Sequence, residues 1–314
     1  MKDRWLAIVN LTAGKGRAAG RWPVLADTLH ARGIHFDVAT TTGPGSATEI
    51  ARSAAANFDG LLAVGGDGTV HEIVNGLPRS QAPILAVAPY GTGNDWARGL
   101  RVGAAPQQLA DLLVTRQTRM VNVGEVSYQV GANISTRRFI NGVGLGLDAA
   151  VLEGLPSGGP PALAYLRGTL EALRHFRAVE TVISSGLHRR QGRYLLVYAG
   201  IGTYAGGGMR LAPRAGRHDG RLYLSLVAQA PMLQILALIP RLYRGTLDRS
   251  RLVQSLAVER FQIETGLDVR LEADGQLLGY GPASCRVLDE RLAVIAARAA
   301  VADNDGSSTT EGLP

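Results

Sequence analysis

Residues 61–72 read Leu61-Leu62-Ala63-Val64-Gly65-Gly66-Asp67-Gly68-Thr69-Val70-His71-Glu72. An apolar run of strand length ends in three glycines around an aspartate, and a helical stretch follows. Consecutive glycines permit dihedrals that expose backbone N–H groups and let the chain approach a phosphate closely. The helix N-terminus behind them favours negative charge. Asp67 would repel phosphate unless Mg²⁺ or a hydrogen bond intervenes, so Asp within Gly-rich backbone suits a Mg²⁺-nucleotide site. An Asp-Gly turn that only caps the helix is the other reading.

Working outward, strand-like runs at 5–10, 35–41, 60–64 and 84–88 alternate with helix-like stretches at 21–32, 46–57, 69–77 and 106–115. This β-α-β-α order predicts an α/β domain with a mainly parallel, doubly wound sheet. In such sheets ligands bind at the carboxyl ends of the strands. Glycines cluster there, at 14–16, 43–45, 65–68 and 91–93. The fourth loop, Pro89-Tyr90-Gly91-Thr92-Gly93-Asn94-Asp95-Trp96, adds polar side chains at a strand end. Neither familiar nucleotide fingerprint is present. Lys15 is followed by Gly16 rather than Ser or Thr, and Gly142-Val143-Gly144-Leu145-Gly146 continues with Leu147 in a β-rich region.

Beyond residue 122 the pattern changes. β-like runs at 121–126, 138–143, 180–184, 194–198, 222–227, 254–263, 269–272, 284–288 and 292–296 are interrupted by helical stretches at 162–177 and 232–243. They predict a mostly β second domain, a sandwich or curled sheet. The expected organisation is an α/β domain at 1–122, a β-sandwich domain at 123–302 whose last strands are free to return to the first, and a disordered tail at 303–314. Residues 157–161 read as a loop.

The chain has 314 residues, 46% apolar and 19% charged, which excludes a disordered protein. Glycine accounts for 40 residues without a three-residue repeat, so the excess points to tight turns and close backbone approaches. The single cysteine, Cys285, excludes a disulfide framework or a Cys-rich metal site, and a reducing compartment is expected. Residues 5–10 are too short for a signal core, and the apolar region 222–240 is interrupted by Ser225, Gln229, Pro231 and Gln234, so it reads as a strand and a helix, not a membrane span. Only Lys2 and Lys15 among the 33 basic residues are lysines; Lys15 is either a solvated loop residue or part of the glycine-rich site. The net charge of +7 divides into +3 for residues 1–122, +7 for 123–302 and −3 for the tail. A basic second half suits an anionic membrane surface or substrate. Nucleic acid ranks lower, because aromatics are 5% of the chain and none interleaves with the arginines.

Gly65 to Glu72 followed by Pro89 to Asp95 resembles the catalytic domain of the diacylglycerol kinase and sphingosine kinase superfamily, in particular the small soluble bacterial lipid kinases. The resemblance extends through Ile8-Val9-Asn10 with Gly14-Lys15, Thr41 with Gly45 and Ala47, Phe139-Ile140-Asn141 to Ala149, Gly206-Gly207-Gly208-Met209 with Asp219-Gly220, and Ala273-Asp274-Gly275-Gln276. It implies a phosphofructokinase-like N-terminal domain, a C-terminal β-sandwich and ATP in the cleft between them. By matching position, Thr41, Gly65, Gly66, Asp67, Gly68, Thr69, Val70, His71, Glu72 and Thr92 would contact ATP, and Asn10, Asn94 and Asp95 would line the same cleft. Asp274 would be the general base, and Asp219 with the carbonyls of Gly216 and Arg221 would hold a structural Mg²⁺. Leu11 replaces the family's usual Pro, Gln276 its usual Glu, and His218 stands where Asp or Asn is common.

The activity so implied is transfer of the ATP γ-phosphoryl group to a lipid hydroxyl, with a diacylglycerol-like acceptor. The protein would be cytoplasmic and would dock transiently on the membrane, with Arg241, Arg244, Arg249 and Arg251 beside the apolar stretch 232–239 as the candidate surface. A homodimer is compatible with the sequence. Two alternatives stay open: a soluble NAD kinase, whose family also carries a Gly-Gly-Asp-Gly loop, and a non-catalytic nucleotide-binding regulator.

Overall fold

The computed structural model describes residues 4–154, 167–168, 171–173, 175, 177–186, 188–266 and 269–297. The loop expected at 157–161, most of the helical stretch expected at 162–177 and the tail at 303–314 lie outside the described residues.

The first strand, β1 (Trp5–Val9), is an unbroken apolar run and is buried at every position, as a strand covered on both faces requires. Then come α1 (Arg17–Ala31), β2 (Phe36–Thr40), α2 (Ser46–Ala54), β3 (Gly60–Gly65), α3 (Asp67–Gly76) and β4 (Ile84–Pro89). A short α4 (Asp95–Gly99), which starts where the sequence offers Asn94 as an N-cap, and α5 (Pro106–Thr115) complete the domain. β1 pairs in parallel with β2 and β3, and β3 with β4. α1 packs with α5 and α2 with α3.

The C-terminal domain is β-sandwich-like. Its described elements are β5 (Thr118–Val130), β6 (Asn133–Phe139), β7 (Gly142–Gly146), α6 (Leu147–Glu153), β8 (Val179–Ser185), β9 (His188–Gly200), β10 (Leu222–Ala228), two short helices, β11 (Val253–Val258), β12 (Arg260–Glu264), β13 (Arg270–Ala273) and β14 (Gln276–Ile295). Side chains alternate across a strand, and β9 and β10 use this to fill two cores. Val197, Ala199, Leu224 and Leu226 point into one, with Phe139, Phe261 and Cys285. Leu196, Tyr198, Tyr223 and Val227 point into the other, under α6 and the two short helices.

The expected elements differ in detail at four places. The strand expected at 138–143 is the end of β6 and the start of β7, interrupted at 140–141. The helix expected at 232–243 is two helices, Met232–Leu236 and Ile239–Arg244; Pro240 has no N–H to continue the first ladder. The strand expected at 254–263 breaks at Glu259 into β11 and β12. The strands expected at 284–288 and 292–296 are one strand, β14, 20 residues long. Between Val287 and Arg291 its register against β5 shifts, with Val287 opposite Gly124 and Arg291 opposite Asn122. A bulge absorbs the polar residues Asp289 and Glu290 without ending the strand.

β14 joins the two domains. Its first part pairs with β13, β12 and β5, and Val294 pairs in parallel with Leu85 of β4. Leu288, Leu292, Val294 and Ile295 accordingly belong to the core of the N-terminal domain. A cut at 122/123 falls inside β5.

Candidate active site

Three loops from the carboxyl ends of β1, β3 and β4 interlock. A Cβ on Gly91 would lie 2.3 Å from the Cα of Gly66, and one on Gly14, whose φ is +62°, 2.3 Å from the carbonyl oxygen of Tyr90. Only glycine permits backbones this close. Tyr90 N and Gly91 N donate to the Gly65 carbonyl at 2.9 and 3.1 Å. The Asn94 side chain closes its own loop, accepting from Gly91 N and donating to Gly91 O, both at 3.0 Å. Asn10 Nδ2 donates to Thr69 Oγ1 at 3.1 Å, tying the β1 loop to α3. Glu72 reaches from α3 to the N-terminus of α2, where Gly45 N and Ala47 N donate to its two carboxylate oxygens at 3.0 and 3.1 Å.

These ties frame an open cavity of about 480 Å³. Of the residues expected to contact ATP, Asn10, Thr41, Gly66, Asp67, Gly68, Thr69, Glu72 and Thr92 line it. Gly65, Val70, His71, Asn94 and Asp95 do not. Gly65 ends β3, Val70 and His71 turn into the protein and are each 1% exposed, and Asn94 is spent on Gly91. Thr12, Thr42, Gly43 and Gln276 line the cavity as well, unannounced by the pattern except as members of loops. Lys15, with φ +62°, is exposed and is not among the lining residues.

Deeper lies a cavity of about 70 Å³ whose lining includes Asp67, Asp95, Asp148, Tyr198, Glu272 and Asp274. Asp67 lines both cavities. Asp274 and Gly275 have φ +50° and +80° and form the two-residue turn between β13 and β14, with Ala273 paired to Gln276, as Asp-Gly hairpins require. The Asp274 side chain is fully buried. Its Oδ2 accepts from Ile140 N at 2.9 Å and contacts His71 Nδ1 at 2.8 Å; its Oδ1 accepts from Asn141 N and Gly142 N at 2.7 and 3.1 Å. His71, expected on the nucleotide, instead joins α3 to this carboxylate. Asp95 is held by Arg98 and by Gly207 N, which donates at 2.7 Å.

Burial perturbs four of these carboxyl groups, Asp67, Asp95, Asp148 and Glu272. Burial, and then the charge of Asp95, push Asp67 up to about 6. Burial raises Asp95 and Asp148, and raises Glu272 well above the usual carboxylate range, with Asp148 beside it adding to the shift. The side-chain hydrogen bond between Glu272 and Asp148 raises Glu272 and lowers Asp148, which favours the proton on Glu272. Gly144 makes room for this pair, since a Cβ there would lie 2.3 Å from Asp148 Oδ2. The sequence signal for the pair is a glutamate inside Leu271-Glu272-Ala273, a strand segment buried on both sides.

The residues expected to hold a structural Mg²⁺ lie outside both cavities, and two of them already have other partners. The Gly216 carbonyl accepts from Arg119 at 3.3 Å, and Asp219 Oδ2 accepts from the Tyr223 hydroxyl at 2.5 Å. Arg221 is exposed. No group of three or more His, Cys, Asp or Glu suited to a metal occurs among the described residues.

Residues 4–126 match the family model "Diacylglycerol kinase catalytic domain", and residues 141–296 match "YegS C-terminal NAD kinase beta sandwich-like domain". A "Diacylglycerol kinase" of Staphylococcus saprophyticus is 28% identical over 301 residues, covering 94% of this chain and 95% of its own. A crystal structure of a diacylglycerol kinase from Bacillus anthracis aligns with a TM-score of 0.72 at 22% identity, covering 94% of this chain and 97% of that one. Yeast NADH kinase shares the fold more distantly, with a TM-score of 0.58 at 10% identity, covering 95% and 84%. Together the two models span most of the chain, which resembles the diacylglycerol kinase catalytic-domain superfamily over nearly its whole length and is an ATP-dependent kinase.

Proposed function

We propose that the chain is a lipid kinase that transfers the ATP γ-phosphoryl group to the hydroxyl of a diacylglycerol-like acceptor. The observation that carries this reading is Asp67, shared between a glycine-walled cavity large enough for a nucleotide and an inner acidic cavity that holds Asp274. Polyphosphate lies against the backbone of Gly66 and Gly68, with Thr69 and Thr92 as side-chain donors. Of the two carboxylates lining the outer cavity, Asp67 would hold the Mg²⁺ accompanying ATP: Trp96 N donates to its Oδ1 at 3.0 Å, whereas both oxygens of Glu72 accept backbone N–H groups. The ion would neutralise phosphate charge as the γ-phosphoryl group departs.

Asp274 takes the proton of the acceptor hydroxyl. A carboxylate offers about four acceptor positions, and Asp274 meets four donor groups, so the incoming alcohol displaces one. Three are backbone N–H groups of 140–142, fixed by β7 and the turn before it. His71 is the one side chain among them. Gln276 sits at the mouth of the nucleotide cavity, near Gly68, where a neutral amide adds no repulsion to the phosphates.

No helix among the described residues is long and apolar enough to cross a membrane. The acceptor is therefore met at a lipid surface. Leu233 and Met232 are exposed on one short helix, and Arg241 and Arg244 follow on the next.

Labelled ATP supplied with the full chain and mixed micelles of diacylglycerol, a sphingoid base or phosphatidylglycerol, with NAD in a parallel reaction, tests this. The expected product is phosphatidic acid. Label on NAD, or on no lipid, would overturn the reading. Asp274→Asn should abolish transfer while ATP binding to the outer cavity persists.

A further inference from the structure

The loop at 216–220 is fastened by arginines where the family resemblance expects a metal ion. Gly216 O accepts from Arg119. Arg291 donates to His218 O in a short contact and, at 3.4 Å, to Asn122 Oδ1. Asn122 completes the fastening: its N–H donates to His218 Nδ1 at 3.2 Å, and its Oδ1 accepts from Gly220 N at 3.1 Å. Asp219 is turned to Tyr223. His218 and Gly220, at φ +53° and +81°, give the loop its tight curl. Arg119 lies on β5, and Arg291 lies on β14 immediately after the bulge, opposite Asn122. Bulges re-aim the side chains that follow them.

A small divalent cation such as Mg²⁺ demands a near-octahedral set of oxygens and sheds its water reluctantly. Here two carbonyls near its expected place already accept guanidinium N–H groups, and two permanent positive charges stand beside them. A guanidinium is always charged and presents five donors in a planar fork, so it can gather several carbonyl and amide oxygens at once.

We propose that Arg291 and Arg119 take the place of the structural divalent cation in this chain. They cross-link the 216–220 loop to the ribbon of β5 and β14, and the fold needs no metal there. Magnesium is then required with ATP alone. The inference does not depend on which alcohol the enzyme phosphorylates.

The test is thermal unfolding of the full chain without nucleotide, in EDTA and in excess Mg²⁺, for the wild type and Asp219→Asn. The expected result is the same Mg²⁺-dependent shift in Tm, including none, for both proteins. A stabilisation by Mg²⁺ in the wild type that Asp219→Asn abolishes would overturn the proposal. Arg291→Gln should lower Tm by several degrees in EDTA, and an unchanged Tm would equally sink the cross-linking role. If Arg291→Gln does not fold, the comparison between wild type and Asp219→Asn still decides.

Discussion

At the scale of single residues, Asp67 carries the strongest conflict between stability and function. Burial favours its neutral form and lifts it to about 6. The stability this confers is present in full below the ordinary carboxylate value near 3.8 and is lost as pH rises through 6. Above pH 6 the ionised group is a burden of at most about 3 kcal/mol, less whatever cavity water and Mg²⁺ recover. Asp67→Asn should therefore be more stable than the wild type at pH 8, measured by denaturant unfolding, and should lose Mg²⁺-dependent ATP binding. The wild type should bind Mg²⁺-ATP progressively more weakly below pH 6, because a metal ligand must be deprotonated. A variant no more stable at pH 8 than the wild type would show that Asp67 is already compensated without nucleotide. Asp67 and its glycines are legible in the sequence because loop chemistry is local. The bond from His71 to Asp274 joins residues 203 positions apart, and no local pattern encodes it.

At the scale of elements, β5 and β14 form a ribbon held by an ion cluster. Glu125 is buried; Arg286 donates to its Oε1 from Nε and Nη2 at 3.0 and 2.6 Å, and Arg79 meets its Oε2. The arginines are about half exposed, so screening by water discounts the Coulomb gain. Leaving the buried carboxylate short of partners still costs free energy. Arg286→Ala should destabilise by about 1–2 kcal/mol, read from the midpoint of urea unfolding, and an unchanged midpoint would mean that Arg79 suffices. β14 also shows where local patterning misleads. Leu288-Asp289-Glu290-Arg291 reads as a turn between two strands, yet cross-strand pairing with β5 carries the chain through as a bulge. In the N-terminal domain β1, β2, β3 and β4 are legible to within a residue or two: β1, β3 and β4 are unbroken apolar runs, and β2 is a short half-exposed run between turn residues.

At the scale of the molecule, charge and exposed apolar surface bear on how a lipid is reached. The surplus of +7 on residues 123–302 attracts an anionic surface over roughly a Debye length, about 8 Å at physiological ionic strength. On the proposed docking, Arg241 and Arg244 together should contribute about 2 kcal/mol to partitioning, which corresponds to roughly 30-fold. Replacing both with Gln should weaken sedimentation with phosphatidylglycerol vesicles by that factor and leave turnover of a detergent-dispersed acceptor unchanged. Equal vesicle binding by variant and wild type would place the contact elsewhere. The composition shows the charge surplus, but not that Leu233 stands exposed beside it, because the same apolar stretch could equally have packed on the sheet.

The continuous strand β14 has a consequence for any attempt to take the protein apart. A fragment ending before Gln276 retains nearly the whole nucleotide pocket, yet it leaves both domains without an interior strand and exposes the apolar edges of β4 and β5. A fragment beginning after β5 lacks the ribbon's other half. Neither piece keeps all the strand pairings of its own core, so domain exchange between relatives should carry the C-terminal segment along with whatever it receives.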